Sequence, residues 1–202
     1  MIFVSVICAR GLKVGTCNNI NQGRKTMNLN HSRAEEKYND IRVSSLAAAK
    51  KLLPFHLKDK VDFRAIDQEA LLWAKIWEAQ DRHSWYFSKN YNDYARRHPK
   101  RLDLAVWHES YLCSLSIGIP VKTGRSMRLD IIESNPKSNP IAKATFDINM
   151  IAFEAYAERI GAEMIKIMRP LNAKLISFYR SKGFIYQKSG MGTEPEHLWK
   201  IL

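Results

Sequence analysis

The feature that most limits how this chain can fold is a strand–helix–strand succession between residues 127 and 169. Residues 127–133 (MRLDIIE) form a short apolar run typical of a strand, and Ala144–Ile160 places apolar residues at helical spacing before a glycine, Gly161. Residues 163–169 are strand-like again. A connection of this kind is right-handed and makes its two strands parallel neighbours. Ligands of such units gather where the strands end.

Short polar connections place two more strands, 102–107 and 111–119, antiparallel to each other and to 127–133. Two further strands, Phe184–Gln187 and His197–Leu202, close the sheet. We therefore expect a mixed α/β (α+β) fold with a mostly antiparallel sheet, one parallel strand pair and flanking helices. Strand 111–119 alternates most clearly, and its predicted inner face consists of Tyr111, Cys113, Leu115, Ile117 and Ile119.

The first 62 residues form a predicted N-terminal extension to a domain that covers 63–202. Residues 1–9 are apolar and indicate a strand or a segment upstream of the true start, and the polar residues 17–30 indicate a linker. Ser32–Leu53 has helical spacing and ends at Pro54, which predicts a helix that docks on the main domain.

Another helix is expected to start at Asp67 as N-cap, with a broad apolar face that includes Leu72 and Ile76. The segment 83–94 then crowds five aromatic residues together. Core packing is the favoured interpretation of these rings, and a substrate wall is the alternative.

Charge and cysteine content restrict the class of protein. The chain has 32 Lys and Arg against 20 Asp and Glu, a formal charge of +12, which favours an acidic partner without choosing among nucleotides, nucleic acids and anionic surfaces. Three scattered cysteines without a C-x-x-C pair predict neither a disulfide framework nor a zinc site, and fit a soluble protein of the cytoplasm. The residues that could form a basic stripe are Arg96, Arg97, Lys100, Arg101, Lys122, Arg125 and Arg128.

The segment Pro170–Phe184 carries the most specific pattern, Pro-Leu-Asn-x-x-Leu-Ile-x-x-Tyr-x-x-x-Gly-Phe. Asn172 can cap a helix, and Gly183 can supply its left-handed C′ residue. Together with the order of the strands, this segment resembles the GNAT superfamily of acyl-coenzyme A-dependent N-acyltransferases, over about residues 63–202. The resemblance implies that strands 127–133 and 163–169 splay apart, and that the pantetheine arm of acetyl-coenzyme A pairs with the backbone between them.

The loop before helix Ala144–Ile160 departs from that family. The family pattern is Gln/Arg-x-x-Gly-x-Gly/Ala, whereas residues 139–144 of this chain contain no glycine and include Pro140, which lacks an N–H donor. The loop is thus a degenerate form of the family's pyrophosphate loop, in which small alanines partly preserve access. The residues that the resemblance assigns to cofactor binding are Ile131, Ile132, Glu133, Lys137, Ser138, Asn139, Ala142, Lys143, Ala144, Asn172 and Tyr179.

The resemblance also implies a chemistry, acetyl transfer to a primary amine. Tyr179 matches the tyrosine that protonates the departing thiolate, and Glu133 is the first candidate for general base, with His108 and His197 as alternatives. The acceptor is a small molecule, a protein or an aminoacyl-tRNA, bound by a monomer or a homodimer without a metal. The rival interpretation is a catalytically degenerate module of the same fold that binds nucleic acid or a protein through its basic surface.

Overall fold

A seven-stranded sheet with helices on both faces organises residues 21–78, 85–190 and 194–202, the part of the chain that the computed structural model describes. The elements are α1 (Asn21–Leu52), α2 (Phe55–Lys58), β1 (Val61–Arg64), α3 (Gln68–Glu78), α4 (Phe87–Arg97), β2 (Leu102–His108), β3 (Tyr111–Pro120), β4 (Ser126–Ser134), α5 (Thr145–Arg159), β5 (Met164–Met168), α6 (Ala173–Ser181), β6 (Ile185–Gln187) and β7 (His197–Ile201).

The expected sheet topology is confirmed. The strand order is β1-β2-β3-β4-β5-β7-β6, in which β4 and β5 are parallel and every other neighbouring pair is antiparallel. Gly161 follows α5 with a φ of 73°, the left-handed C′ conformation expected of it. One core lies between the sheet and α1, α5 and α6, and a second lies between the sheet and α3 and α4.

The prediction of a linker over 17–30 is wrong from Asn21 onward, because α1 begins there. The second half of α1 buries Leu46 and Ala49 in the core beside α5, and a helix nucleated by packing extends into polar sequence at little cost. Residues 1–9 and 17–20 lie outside the described residues. The sheet starts at Val61, on a four-residue strand too short to show a period in the sequence.

The apolar face of α3 is narrower than its sequence indicates. Leu72 is 56% exposed and Ile76 is 63% exposed, because α3 packs on the sheet through the face that carries Leu71 and Trp77. Asp67 does cap this helix, and its Oδ1 accepts the Ala70 N–H at 2.8 Å. In the described part of the aromatic segment, core packing is confirmed, since α4 buries Phe87, Tyr91 and Tyr94.

The single inner face predicted for β3 breaks at Cys113. A register shift against β2 lies between Val106 and Trp107, so β3 carries one extra residue there. Cys113 consequently packs in the core on the α5 side, whereas Leu115 and Ile117 pack on the α3 side. One inserted residue reverses the faces of a strand, which a strict alternation cannot represent.

Buried ion pairs hold α1 on the domain. Arg42 is 4% exposed, and its guanidinium lies 2.6 Å from Glu35 and 3.6 Å from Asp103. Arg101 pairs with the same two carboxylates at 2.9 and 3.4 Å. The Tyr91 hydroxyl donates a hydrogen bond to Asp103. These contacts make α1 part of the packed unit. Within the described ranges, none of the helices is both long enough and apolar enough to cross a membrane.

Candidate functional site

The candidate site is a gap between the parallel strands β4 and β5. Their pairing runs from Ser126 opposite Met164 to Leu129 opposite Ile167. β4 then continues to Ser134, while the last residue of β5, Met168, pairs only with β7 in the described sheet. The expected splaying is therefore present. An open strand edge of this kind offers backbone N–H and C=O groups that another extended chain can pair with.

A bulge in β4 causes the splaying. Ile131 lies opposite Ile117 and Leu129 lies opposite Gly118, so Asp130 is an extra residue without a partner on β3. Pairing with β5 ends at the residue before it. A bulge bends its strand and increases the local twist, which turns the end of β4 away from β5.

Buried partners fix the bulge residue. Asp130 is 1% exposed, and Arg128 binds its two carboxylate oxygens at 2.8 and 2.9 Å. The hydroxyl of Tyr94 donates to the same carboxylate at 3.0 Å. A bidentate pair with a further hydrogen bond satisfies a buried charge and holds its backbone in one place.

Gly118 lets the strands approach at the bulge. A Cβ atom on this residue would lie 1.9 Å from the carbonyl oxygen of Arg128, so only glycine fits here. The roles of Gly118 and Asp130 were not predicted from the sequence. Two features of the sequence point to these roles: a glycine inside the apolar strand 111–119, and a charged residue inside the neighbouring strand 127–133.

Three of the residues assigned to the cofactor lie on β4 beyond the bulge. Ile131 packs on the α3 side of the sheet and Ile132 on the α5 side. Glu133 follows them, opposite Leu115 of β3, and is 5% exposed. The gap thus begins next to apolar side chains and continues past a buried carboxylate.

Tyr179 lies on α6, which starts just after β5. Asn172 caps this helix, since its Oδ1 accepts the Leu175 N–H at 3.0 Å, and Gly183 ends it with a φ of 85°. The N–H of Phe184 donates to the Tyr179 carbonyl at 3.1 Å, which forms a Schellman motif around the predicted C′ glycine.

The hydroxyl of Tyr179 is buried without a hydrogen-bond partner among the described residues. The residue is 0% exposed, and its ring contacts Phe146, Phe178 and Phe184. Burial raises the pKa of this phenol, so the group is protonated at neutral pH. Since a buried polar atom is nearly always paired, this hydroxyl is free to bond a water or a group from outside the chain.

Two asparagines organise the loop between β4 and α5. Asn135 donates to the Leu112 carbonyl at 3.0 Å and accepts the Lys137 N–H at 3.1 Å. Asn139 donates to the carbonyl of Cys113 at 3.0 Å and accepts the Ile141 N–H at 3.0 Å. Side-chain amides therefore fix the path of this glycine-free loop.

The amide of Asn139 is thereby committed to the loop itself. The exposed residues of the loop include Lys137, Ser138, Ala142 and Lys143, while Ala144 is half-buried just before α5. Ser138 has a φ of 43°, a left-handed conformation that is uncommon for residues other than glycine. The loop therefore presents two lysines beside the N-terminus of α5, where helical N–H groups lack partners within the helix.

Of the two candidate histidines, His197 is the nearer to the gap, on β7 directly beyond β5. It pairs with Met168 at the end of β5, its side chain is buried, and its Nδ1 lies 2.8 Å from the Pro195 carbonyl oxygen. His108 lies on β2, opposite Tyr111 of β3, and the strand β3 separates it from β4. A cleft of about 360 Å³ adjoins His197 on the sheet and is also lined by Lys166 and Trp199.

No protein-family model and no curated protein matches this chain. Solved structures do. Ard1 from Thermoplasma volcanium superposes with a TM-score of 0.56 at 13% identity, over 71% of this chain and 98% of that one. A Bacillus subtilis acetyltransferase in complex with CoA gives 0.50 at 15% identity, over 71% and 98%. Spermidine N-acetyltransferase from Vibrio cholerae, in complex with CoA and spermine, gives 0.50 at 13% identity, over 71% and 96%.

These structures are GNAT-family N-acetyltransferases. At identities of 13–15%, these superpositions establish the fold alone. The chain has the GNAT fold.

Proposed function

We propose that this protein transfers the acetyl group of acetyl-coenzyme A to a primary amine. The observation that carries the proposal is the gap beyond Leu129, because it combines an open strand edge with a buried, unpartnered phenol on the helix that follows β5. An enzyme that brings an amine and a thioester together in such a slot gains most of its rate from their proximity.

The cofactor would lie along the gap. Its pantetheine amides pair with the backbone of Ile131, Ile132 and Glu133, and its pyrophosphate lies on the loop at the N-terminus of α5. Two of the superposed acetyltransferases contain CoA, which supports a cofactor of this class. The residues proposed to contact the phosphates or the adjoining arm are Lys137, Ser138, Asn139, Ala142, Lys143, Ala144 and Asn172.

The reaction requires two proton transfers. The amine nitrogen attacks the thioester carbonyl, and the C–S bond of the tetrahedral intermediate then breaks to give the amide and a thiolate. Glu133 takes the proton that the amine loses, directly or through a water, and Tyr179 gives its proton to the departing sulfur. The raised pKa keeps the Tyr179 hydroxyl protonated until the sulfur develops charge.

Cofactor binding is testable by calorimetry with coenzyme A. We expect wild-type protein to bind it, and Ala142→Glu to weaken binding at least about tenfold, because a carboxylate on the exposed loop repels the pyrophosphate. The control is Lys51→Glu, which adds negative charge at an exposed position near the end of α1. Absence of binding at millimolar coenzyme A, with folded protein, would favour the binding-module alternative.

The general base is testable by a matched pair of variants. Glu133→Gln is expected to lower kcat by about 10²-fold, because the amide cannot accept the amine proton, whereas His197→Gln changes kcat less. Acetylation of spermine, lysine and a peptide with a free α-amino group gives the acceptor for this measurement. If His197→Gln shows the larger loss and Glu133→Gln retains wild-type kcat, the base is the histidine.

A further inference from the structure

A second cleft, of about 390 Å³, lies at the opposite end of β4 from the gap. Its walls are the segment between α4 and β2, the turn between β3 and β4, and Tyr38 of α1. β4 starts beside this turn at Ser126, whereas the gap opens only beyond Leu129. The cleft is therefore separate from the proposed acetyl-transfer site, and α1 contributes to it directly.

The charge of the cleft is positive. Arg97, Lys100 and Lys122 line it together with His98, and its lining contains no carboxylate among the described residues. Arg97 forms an ion pair with Asp93 at 2.6 Å. Lys100 and Lys122 have no carboxylate within ion-pair distance in the described chain, so their charges are uncompensated.

Three other residues of the candidate basic stripe are used elsewhere. Arg101 joins the buried ion pairs with Glu35, and Arg128 binds Asp130. Arg96 pairs with Asp93 on the surface of α4. The residues that could have formed a stripe are thus divided, and Lys100 and Lys122 keep uncompensated charge at the cleft.

The wall that carries Lys100 is held from inside the protein. Arg42 donates to the carbonyl oxygens of Pro99 and Arg101 at 3.2 and 3.3 Å, and the Tyr156 hydroxyl donates to that of Lys100 at 2.9 Å. The backbone carbonyls of this segment are therefore satisfied by buried donors. The Lys100 ammonium lies 5.5 Å from the centre of the Tyr38 ring.

The opposite wall is equally fixed. The Val121 N–H donates to Ser126, and the Gly124 N–H donates to Val121, both at 2.9 Å. Gly124 has a φ of 75°, which closes the turn that carries Lys122. The backbone of both walls is therefore fixed before an anion binds, so that binding has to order only the two lysine side chains.

We propose that this cleft binds a nucleotide through its phosphate and its base. Lys100 and Lys122 would hold the phosphate, and the Tyr38 ring with the apolar Ile119 and Pro120 would contact the flat base. A free nucleotide and one nucleotide unit of a single strand share this chemistry. The proposal does not depend on acetyl transfer, since the cleft lies away from the gap.

The test is calorimetric titration with UMP in the presence of saturating coenzyme A, which occupies any adenine nucleotide site in the gap. We expect UMP to bind, uridine not to bind at about 10 mM, and the double variant Lys100→Ser, Lys122→Ser to raise the Kd at least about tenfold. Lys51→Ser, an exposed lysine outside the cleft, should leave the Kd within about twofold. If the double variant does not fold, the single variant Lys122→Ser, which changes an exposed turn, replaces it in the titration and should also raise the Kd for UMP.

Titration with an octamer of uridylate distinguishes a free nucleotide from a nucleotide unit of a single strand as the ligand. A nucleic-acid unit is indicated if the octamer binds much more tightly than UMP and with a steep decrease as salt rises. A free nucleotide is indicated if the two affinities are equal. No UMP binding at about 10 mM, or equal losses in Lys51→Ser and the double variant, would overturn the proposal.

Discussion

Tyr179→Phe is expected to lower kcat for acetyl transfer by about 10²-fold while leaving the Kd for coenzyme A within about threefold. The hydroxyl is the only part of the side chain removed, and it makes no hydrogen bond in the described structure. The ring contacts with Phe146 and Phe184 are retained in the variant. Release of the coenzyme A thiol in the presence of the accepted amine gives the rate.

Tyr156→Phe is the matched control for that measurement. Tyr156 is also a fully buried tyrosine, but its hydroxyl donates to the Lys100 carbonyl, away from the gap. This variant should lose about 1 kcal/mol of stability and retain kcat. A Tyr179→Phe protein with wild-type turnover would contradict the role of the phenol as proton donor.

Arg42→Ala is expected to lower the free energy of unfolding by about 3–5 kcal/mol. The change removes one of the two cations beside Glu35 and one of the two beside the buried Asp103. It also leaves the Pro99 and Arg101 carbonyls without the donor that reaches them from α1. Urea unfolding followed by circular dichroism measures the change.

Arg33→Ala provides the comparison, because it removes the same charge from an exposed position on α1. A surface change of this kind should cost less than about 0.5 kcal/mol. If Arg42→Ala costs no more than Arg33→Ala, then the ion pairs do not hold α1 on the domain.

The topology was accessible from the sequence because it depends on local patterns. The parallel pair followed from two apolar runs joined by a helix that ends at Gly161, and the helix of Tyr179 followed from its cap and its C′ glycine. The start of α1 was not accessible. A polar stretch gives no period, and the packing of Leu46 and Ala49 that stabilises the helix lies several turns away.

The details of the gap were less accessible, because they depend on register. Alternation assigned Cys113 to the wrong face, and it gave no hint that Asp130 is an inserted residue. Each bulge is set by cross-strand contacts such as that between Gly118 and Arg128, which a single chain segment does not contain. The functional roles of Glu133 and Tyr179 stay predictions until the variants are measured.

The asparagine-built loop between β4 and α5 has a consequence for the anion that is proposed to bind there. A glycine-rich loop has more conformational freedom than other loops, and it loses that freedom when it is ordered around a ligand. Here Asn135 and Asn139 have already fixed the path of the chain before any guest arrives. An anion that bound this loop would therefore pay little of the entropy cost of ordering the backbone, and the preformed loop would accept little variation in the shape of the bound group.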